Sequence, residues 1–249
     1  MVQQELKTSI KILKEKGFLR LIKEFFKYFG PMVLVPKYIK KIKKISSKDE
    51  NYLVNFAFNS KFEILAPAQS RFEIASLMSL LKKERPKKIL EVGTAKGGSL
   101  FLITKILPDD AEIMSLDLRG GSFGGGYPKW RIPLYKSFVS KNQKMELLRG
   151  DSHKEETVEL VKNSLRMEKL DFLFIDADHT YEGVKKDFEN YSPFVKKGGI
   201  IALHDIAKHR TSETCKVDKF WEEIKNKHDS WEFLDPNDIG WAGIGVLRV

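Results

Sequence analysis

Residues 87–100, Lys-Lys-Ile-Leu-Glu-Val-Gly-Thr-Ala-Lys-Gly-Gly-Ser-Leu, constrain this chain more than any other stretch. A short apolar run closes on an acid, Glu91, and Gly93 follows. Then come a small-residue loop, Gly97 and Gly98, and an apolar helical segment to Leu107. A strand that ends in glycines and opens a helix is a turn suited to cradling a nucleotide. Gly93 allows a sharp exit from the strand, and Gly97 lets backbone approach a ligand with no Cβ in the way. Two common cradles do not fit. A dinucleotide fingerprint is G-x-G-x-x-G, whereas Gly93-x-x-x-Gly97-Gly98 lacks the middle glycine. A Walker A loop carries lysine where this chain has Ser99. An ordinary strand–turn–helix in an α/β domain is the plain alternative.

With 249 residues the chain can bury one sizeable core and carry an appendage. No apolar run approaches the roughly 18–20 residues of a membrane span, and the start, Met-Val-Gln-Gln-Glu-Leu-Lys, has no signal-peptide core. The single cysteine, Cys215, rules out an intrachain disulfide and suits a reducing compartment. A cytoplasmic location is the resulting expectation. Cys215 reads more readily as a small filler on a helix than as a nucleophile.

The net charge of +10 is unevenly spread. Residues 1–50 hold 13 Lys or Arg against 5 Asp or Glu, and the rest of the chain is nearly balanced. Residues 4–29 have helical periodicity, with Leu6, Ile10, Leu13, Phe18, Leu21, Ile22, Phe25 and Phe29 on one face and Lys11, Lys14, Lys23 and Lys27 largely off it. Gly30-Pro31 should end that helix. The basic run Lys37-Tyr-Ile-Lys-Lys-Ile-Lys-Lys44 follows. Three roles compete for residues 1–45: a helical extension packed on the domain or on a second copy of the chain, contact with an anionic membrane surface, and nucleic-acid binding. The last is not expected, because no aromatic–basic recognition motif accompanies the charge. The chain divides into a basic helical extension, 1–60, and a main domain, 61–249.

From residue 87 the pattern alternates. Strands are predicted at 88–93, 112–118, 144–150, 170–177 and 198–205, and helices at 98–107, 154–166, 181–195 and 213–228. Such alternation implies a doubly wound α/β domain with a parallel sheet covered on both faces. Two further β-like runs, Trp231–Leu234 and Trp241–Val249, are joined by too short a gap for a helix and should pair as an antiparallel hairpin. The expected sheet is therefore seven-stranded and Rossmann-like.

In open α/β sheets ligands sit beyond the carboxyl ends of the strands. Asp117 falls there, 24 residues after Gly93, where an acid can accept hydrogen bonds from ribose hydroxyls. Asp151-Ser152 end the third strand. Asp176 and Asp205 end the fourth and fifth, with His179 and His204 beside them. Two carboxylates facing one cavity repel unless a proton or cation intervenes. A hard ion such as Mg²⁺ suits carboxylates, and histidine shifts the preference toward softer metals. Strand capping and loop ordering are the plain alternative for these residues.

The turn E-x-G-x-x-x-G-x-S resembles motif I of the class I S-adenosylmethionine (SAM) methyltransferases. Leu116 to Phe138, Leu-Arg-Gly-Asp-Ser-His153 and Phe-Ile-Asp-Ala-Asp-His-Thr-Tyr-Glu-Gly-Val184 are similar to one branch of that family, sometimes labelled cephalosporin-hydroxylase-like and related to metal-dependent O-methyltransferases of catechols, caffeoyl-CoA and macrolide sugars. The resemblance covers about residues 50–249. It implies that Glu91, Gly93, Thr94, Gly97, Ser99, Asp117, Asp151, Ser152 and Asp176 bind SAM. It puts Asp176 and Asp205 on metal-ligand positions and His204 where some sugar-modifying relatives have an acidic ligand. Ile206 stands where the catechol-type enzymes supply an asparagine. His179 replaces a catalytic lysine, and a near-neutral histidine is a reasonable base. The implied reaction is methyl transfer to a hydroxyl of a small molecule or sugar, with Asp176 and His179 catalytic and Mg²⁺ or another divalent cation assisting. The hydroxylase label finds no two-histidine–carboxylate iron motif.

The insert 120–134 joins Gly120, Gly121 and Gly124–Gly126 to Tyr127 and Trp130, with Tyr135 just beyond it. It can fold over the cofactor and wall an acceptor pocket. Two other functions are compatible with the sheet: a nicotinamide-dependent oxidoreductase, and a non-catalytic SAM-fold protein tethered by its basic helices.

Overall fold

A computed structural model describes residues 18–120, 125–208, 212–237 and 242–249, with side chains from residue 30. The N-terminal periodicity before residue 18 lies outside the described residues. Three helices lead in: α1 (Phe18–Ile42), α2 (Glu50–Phe58) and α3 (Arg71–Glu84). The main sheet follows as β1 (Lys88–Val92), α4 (Gly98–Ile106), β2 (Glu112–Asp117), a short α5 (Ile132–Tyr135), β3 (Lys144–Arg149), α6 (Glu155–Leu165), β4 (Leu170–Ile175), α7 (Tyr181–Tyr191), β5 (Val195–His204), α8 (Val217–Ile224), β6 (Asp229–Phe233) and β7 (Ile244–Arg248).

Strand order is β3-β2-β1-β4-β5-β7-β6. The first five strands pair in parallel, and β7 lies antiparallel to both β5 and β6. The expected doubly wound sheet with a C-terminal antiparallel pair is therefore present. Alternate strand residues serve the two faces, as the two-residue pleat requires. Ile89, Ile113, Phe172, Phe174, Ile200 and Val246 pack toward α1–α4. Leu90, Met114, Leu173, Ile201 and Leu247 pack toward α6, α7 and α8, whose Trp221 lies against Gly245.

Three elements depart from the sequence expectation. α1 does not stop at Gly30-Pro31; it runs through Pro31 and Pro36 to Ile42. A proline inside a helix costs about 3 kcal/mol, and burial offsets it here. Pro31, Val35, Tyr38 and Ile42 form one buried stripe, and Gly30 lies against the Phe62 ring, 2.9 Å from where a Cβ would be. β5 begins at Val195, earlier than expected, through an irregular register opposite Leu170–Phe172. α8 begins at Val217, so Cys215 precedes the helix instead of lying on it.

The strand order reverses between β1 and β4, so their carboxyl ends open the crevice where such sheets bind ligands. Gly93 and Asp176 leave these two strands side by side. Gly93 N donates to Leu116 O and Asp176 N donates to Val92 O.

Candidate active site

The glycine turn is built from beneath. Glu91 is fully buried and accepts hydrogen bonds from Ser99 Oγ (2.7 Å) and Ser115 Oγ (3.2 Å). Burial pushes its pKa up to about 8, against the two hydroxyl bonds and helped by the charges of Asp176 and Asp117. Thr94 Oγ1 lies 2.5 Å from Ser115 Oγ, closing a buried polar chain under the turn. Gly93 has φ +99°, and a Cβ there would lie 1.9 Å from Asp176 O. The corresponding position at Gly97 faces the Tyr135 ring at 2.5 Å. Both glycines thus permit close internal packing, quite apart from any ligand.

Asp117 is the hub above the turn. Its Oδ2 accepts from Thr94 N (3.0 Å) and Ala95 N (2.7 Å), and its Oδ1 from Leu118 N (2.7 Å) and Gly126 N (2.9 Å). Burial raises its pKa, and these four amides oppose the rise. One carboxylate therefore joins the glycine turn to the glycine-rich insert. The insert is anchored again by Tyr135 Oη donating to Ala95 O (2.7 Å) and by Arg131 donating to Ile64 O and Lys96 O. Tyr127 and Tyr135 are buried edge to face, with centroids 4.8 Å apart. The Tyr127 hydroxyl is buried without a hydrogen-bond partner among the described residues, and burial pushes the phenol up to about 12. An orphaned hydroxyl beside the Asp117 hub is what a polar ligand in this crevice would satisfy.

Asp151 and Ser152 follow β3. Asp151 Oδ1 accepts from His153 N (3.0 Å), and Ser152 O accepts from Asn190 Nδ2 and Tyr191 Oη on α7. The Asp187 carboxylate, wholly buried, lies 3.3 Å from His153 Nε2 and raises that histidine's pKa.

Beyond β4 and β5 a carboxylate–imidazole cluster forms. Asp176 Oδ1 lies 3.0 Å from His204 Nδ1, and Asp176 Oδ2 accepts from Gln69 Nε2 at 2.7 Å. His179 Nδ1 lies 2.6 Å from Asp205 Oδ2, and His179 Nε2 is 3.7 Å from Asp176 Oδ1. The hydrogen bond with Asp205, with Cys215 contributing, pushes His179 up to about 11. Burial works to lower the pKa of His204, but Asp176, Glu73 and Asp205 outweigh it and push it up to about 10. The carboxylates around them thus favour the charged form of both rings. His179 must lose its ion pair before it can accept a proton, a constraint that position in sequence does not reveal. Asp205 has φ +63°, a strained conformation for a non-glycine residue.

Two donor sets share Asp205. Asp176, His204 and Asp205 each offer one ligand atom within 4.8 Å of the others, and so do His179, Asp205 and Cys215. The oxygen-rich first set fits a divalent ion, with Ile206 offering no side-chain donor beside it. Sequence reasoning gave no role to Gln69, which supports Asp176, or to Glu73. Glu73 caps α3 through Ser70 and accepts from Gly243 N at 3.0 Å. The Ser-x-x-Glu capping signature was available for Glu73; Gln69 reaches Asp176 across 107 residues and has no local signal.

An open sheet of this order, with an acid–glycine turn at its reversal point and carboxylates beyond the two strands, defines a Rossmann-like domain with a ligand crevice at that point. Residues 90–206 match the family model described as a methyltransferase domain. The chain is thus similar, through its middle, to methyltransferase domains, and its relatives include caffeoyl-CoA O-methyltransferases. It is 26% identical over 196 residues to the caffeoyl-CoA O-methyltransferase of Stellaria longipes, covering 76% of this chain and 70% of that one. An uncharacterised protein of Acanthamoeba polyphaga mimivirus, R132, is 46% identical over 78 residues, which cover 28% of this chain and 35% of that protein. The chain spans about half the length of several other plant relatives and as little as 18% of another curated one. The crystal structure of an O-methyltransferase from Bacillus cereus, solved in complex with SAH, shares the fold. Its TM-score is 0.55 at 17% identity, covering 86% of this chain and 96% of that one.

Proposed function

We propose that this chain is a SAM-dependent O-methyltransferase acting on a hydroxyl of a small molecule or sugar. The observation that carries the reading is the adjacency of two features at the sheet reversal. The Glu91–Gly93 turn, closed by Asp117, lies beside the Asp176–His179–Asp205 cluster. SAM, when bound, supplies the electrophilic methyl group. The turn, Thr94, Ser99 and Asp117 would hold it, with Asp151 and Ser152 near the base. The buried Tyr127 hydroxyl offers a further polar contact and, with Tyr135, keeps water from the crevice. Asp176 and Asp205, with His204, would hold a divalent cation that orients and acidifies the acceptor. His179 would take the acceptor proton once Asp205 is otherwise engaged, and alignment of the reacting atoms contributes much of the rate.

The missing middle glycine, with Ala95 in its place, disfavours the nicotinamide reading. The test is transfer of labelled methyl from SAM across a panel of phenols, catechols and sugars. Product formation that falls at least 100-fold in His179→Ala and Asp176→Ala supports the reading. Tight SAM binding with no transfer to any acceptor would instead make the chain a non-catalytic SAM-fold protein.

We further infer that the extension, residues 1–60, is an attachment device on the domain 61–249, touching an anionic surface peripherally from the cytoplasm. Exposed Met32 and Val33 adjoin exposed Lys37, Lys40, Lys41, Lys43 and Lys44. No helix among the described residues is long and apolar enough to cross a membrane. Pelleting with phosphatidylserine vesicles, lost when those five lysines become glutamine, tests it; equal pelleting of both proteins refutes it.

A further inference from the structure

We propose that His179, Asp205 and Cys215 form a thiolate-containing site for a zinc-type transition metal, an alternative to the oxygen-rich set of Asp176, His204 and Asp205, with which it shares Asp205. The proposal stands on this cluster alone and does not depend on methyl transfer; with the metal bound, His179 is a ligand and not the base.

Three ligand atoms of three chemical types converge here within 4.8 Å: an imidazole nitrogen, a carboxylate oxygen and a sulfur. Imidazole, carboxylate and thiolate together suit Zn²⁺ and its neighbours, whereas Mg²⁺ takes oxygen donors. Cys215 is not placed there by a helix. It lies in the segment before α8 and is buried. Lys216 N donates to His179 O at 2.8 Å, and Cys215 N donates to Ser212 Oγ. The first bond ties the cysteine segment to the β4 exit that carries His179, and the second turns that segment back on itself. The partner carboxylate is equally fixed. Asp205 is followed by Ile206 and Ala207, whose amides donate to Gly243 O and Ala242 O.

The surroundings supply the outer contacts that metal-binding histidines require. His179 presents Nδ1 to Asp205 and turns Nε2 toward Asp176 Oδ1 at 3.7 Å. Asp176 is itself held by Gln69 and His204. The Asp176 carboxylate on the far side of the ring, 3.7 Å from Nε2, favours the arrangement in which Nδ1 faces the metal. The 2.6 Å separation of Nδ1 and Asp205 Oδ2 suits a shared proton. A tetrahedral ion with bonds of about 2.0–2.1 Å needs these atoms about 3.3 Å apart. The half-exposed His179 ring can swing by that amount. Its exposed side leaves a fourth coordination position open, the pattern of three protein ligands that catalytic zinc sites use.

Cobalt spectroscopy of the full chain tests this without substrate or SAM. The protein is stripped with a chelator and titrated with Co²⁺. The expected result is one Co²⁺ per chain, tetrahedral visible bands and a thiolate-to-cobalt charge-transfer band. That band must come from Cys215, the single cysteine of the sequence. Equimolar Zn²⁺ should bleach it, and a thousandfold excess of Mg²⁺ should not. Cys215→Ser should abolish the band, and His179→Ala should weaken Co²⁺ binding at least tenfold, both with unchanged far-ultraviolet circular dichroism. Failure of the wild-type chain to bind Co²⁺, binding without the charge-transfer band, displacement by Mg²⁺, or full affinity in His179→Ala would each overturn the proposal.

Discussion

Replacing Glu91 by glutamine should stabilise the protein in alkali and leave it unchanged in acid. Glu91 has no exposed surface, two hydroxyl donors and no cationic partner among the described residues, with Asp176 and Asp117 nearby. Burial pushes its carboxyl up to about 8 in the folded chain, from an ordinary value of 4.5. A raised acid binds its proton more tightly when folded. Its contribution is therefore fully present below about pH 4.5 and is lost as pH rises through about 8. A full separation of this size corresponds to about 5 kcal/mol, at roughly 1.4 kcal/mol per pH unit; relaxation around the ionised group makes 3–5 kcal/mol the reasonable order. Glutamine has nearly the same shape and no charge, so the difference between variant and wild type isolates this one group. Urea unfolding of both proteins at pH 5, 6, 7, 8 and 9 gives that difference directly. The variant should match the wild type near pH 5 and exceed it by on the order of 3–5 kcal/mol at pH 9. A difference that does not change with pH would refute the argument, because it would mean that Glu91 is hydrated or paired.

Gly93→Ala should cost about 3 kcal/mol or more and lower Tm by roughly 6–12 °C in a thermal melt, because its Cβ would lie 1.9 Å from Asp176 O at φ +99°. Asp117→Asn leaves one carbonyl oxygen to serve four amides. A loss of about 2–4 kcal/mol, with faster hydrogen exchange at Gly126 than at Leu116, should follow. Asp187→Asn removes the charge that raises the His153 pKa. In the wild type that ion pair stabilises the fold below the usual histidine pKa, and its contribution fades as pH rises through the raised folded value. Stability measured across pH 5 to 9 should lose that component in the variant, and an unchanged profile would show that the pair is not formed.

What the sequence exposes and what it hides separate along the range of the contacts involved. β1, its acid and the glycine turn are legible because hydrophobic run, charge and φ-permissive residues are all local. The α/β alternation is legible for the same reason. The continuation of α1 through Pro31 and Pro36 is not, because the cost of a helical proline is local while the compensating burial of Val35, Tyr38 and Ile42 is tertiary. The position of Cys215 is hidden likewise. Its segment has helical composition, yet the backbone bond from Lys216 to His179 draws it out of the helix and against β4. Asp117 shows the reverse case. Position marks it as a ligand acceptor, whereas the structure gives its oxygens four backbone partners, one from the insert.

The central claim is that the crevice between β1 and β4 binds SAM. Isothermal titration of the purified chain with SAM, with NAD as the control ligand, tests it most directly. The account predicts one site per chain at micromolar affinity for SAM, silence with NAD, and loss of the SAM heat in Asp117→Ala under conditions where that variant remains folded. Absence of SAM binding by the folded wild-type chain, or NAD binding in its place, would contradict it.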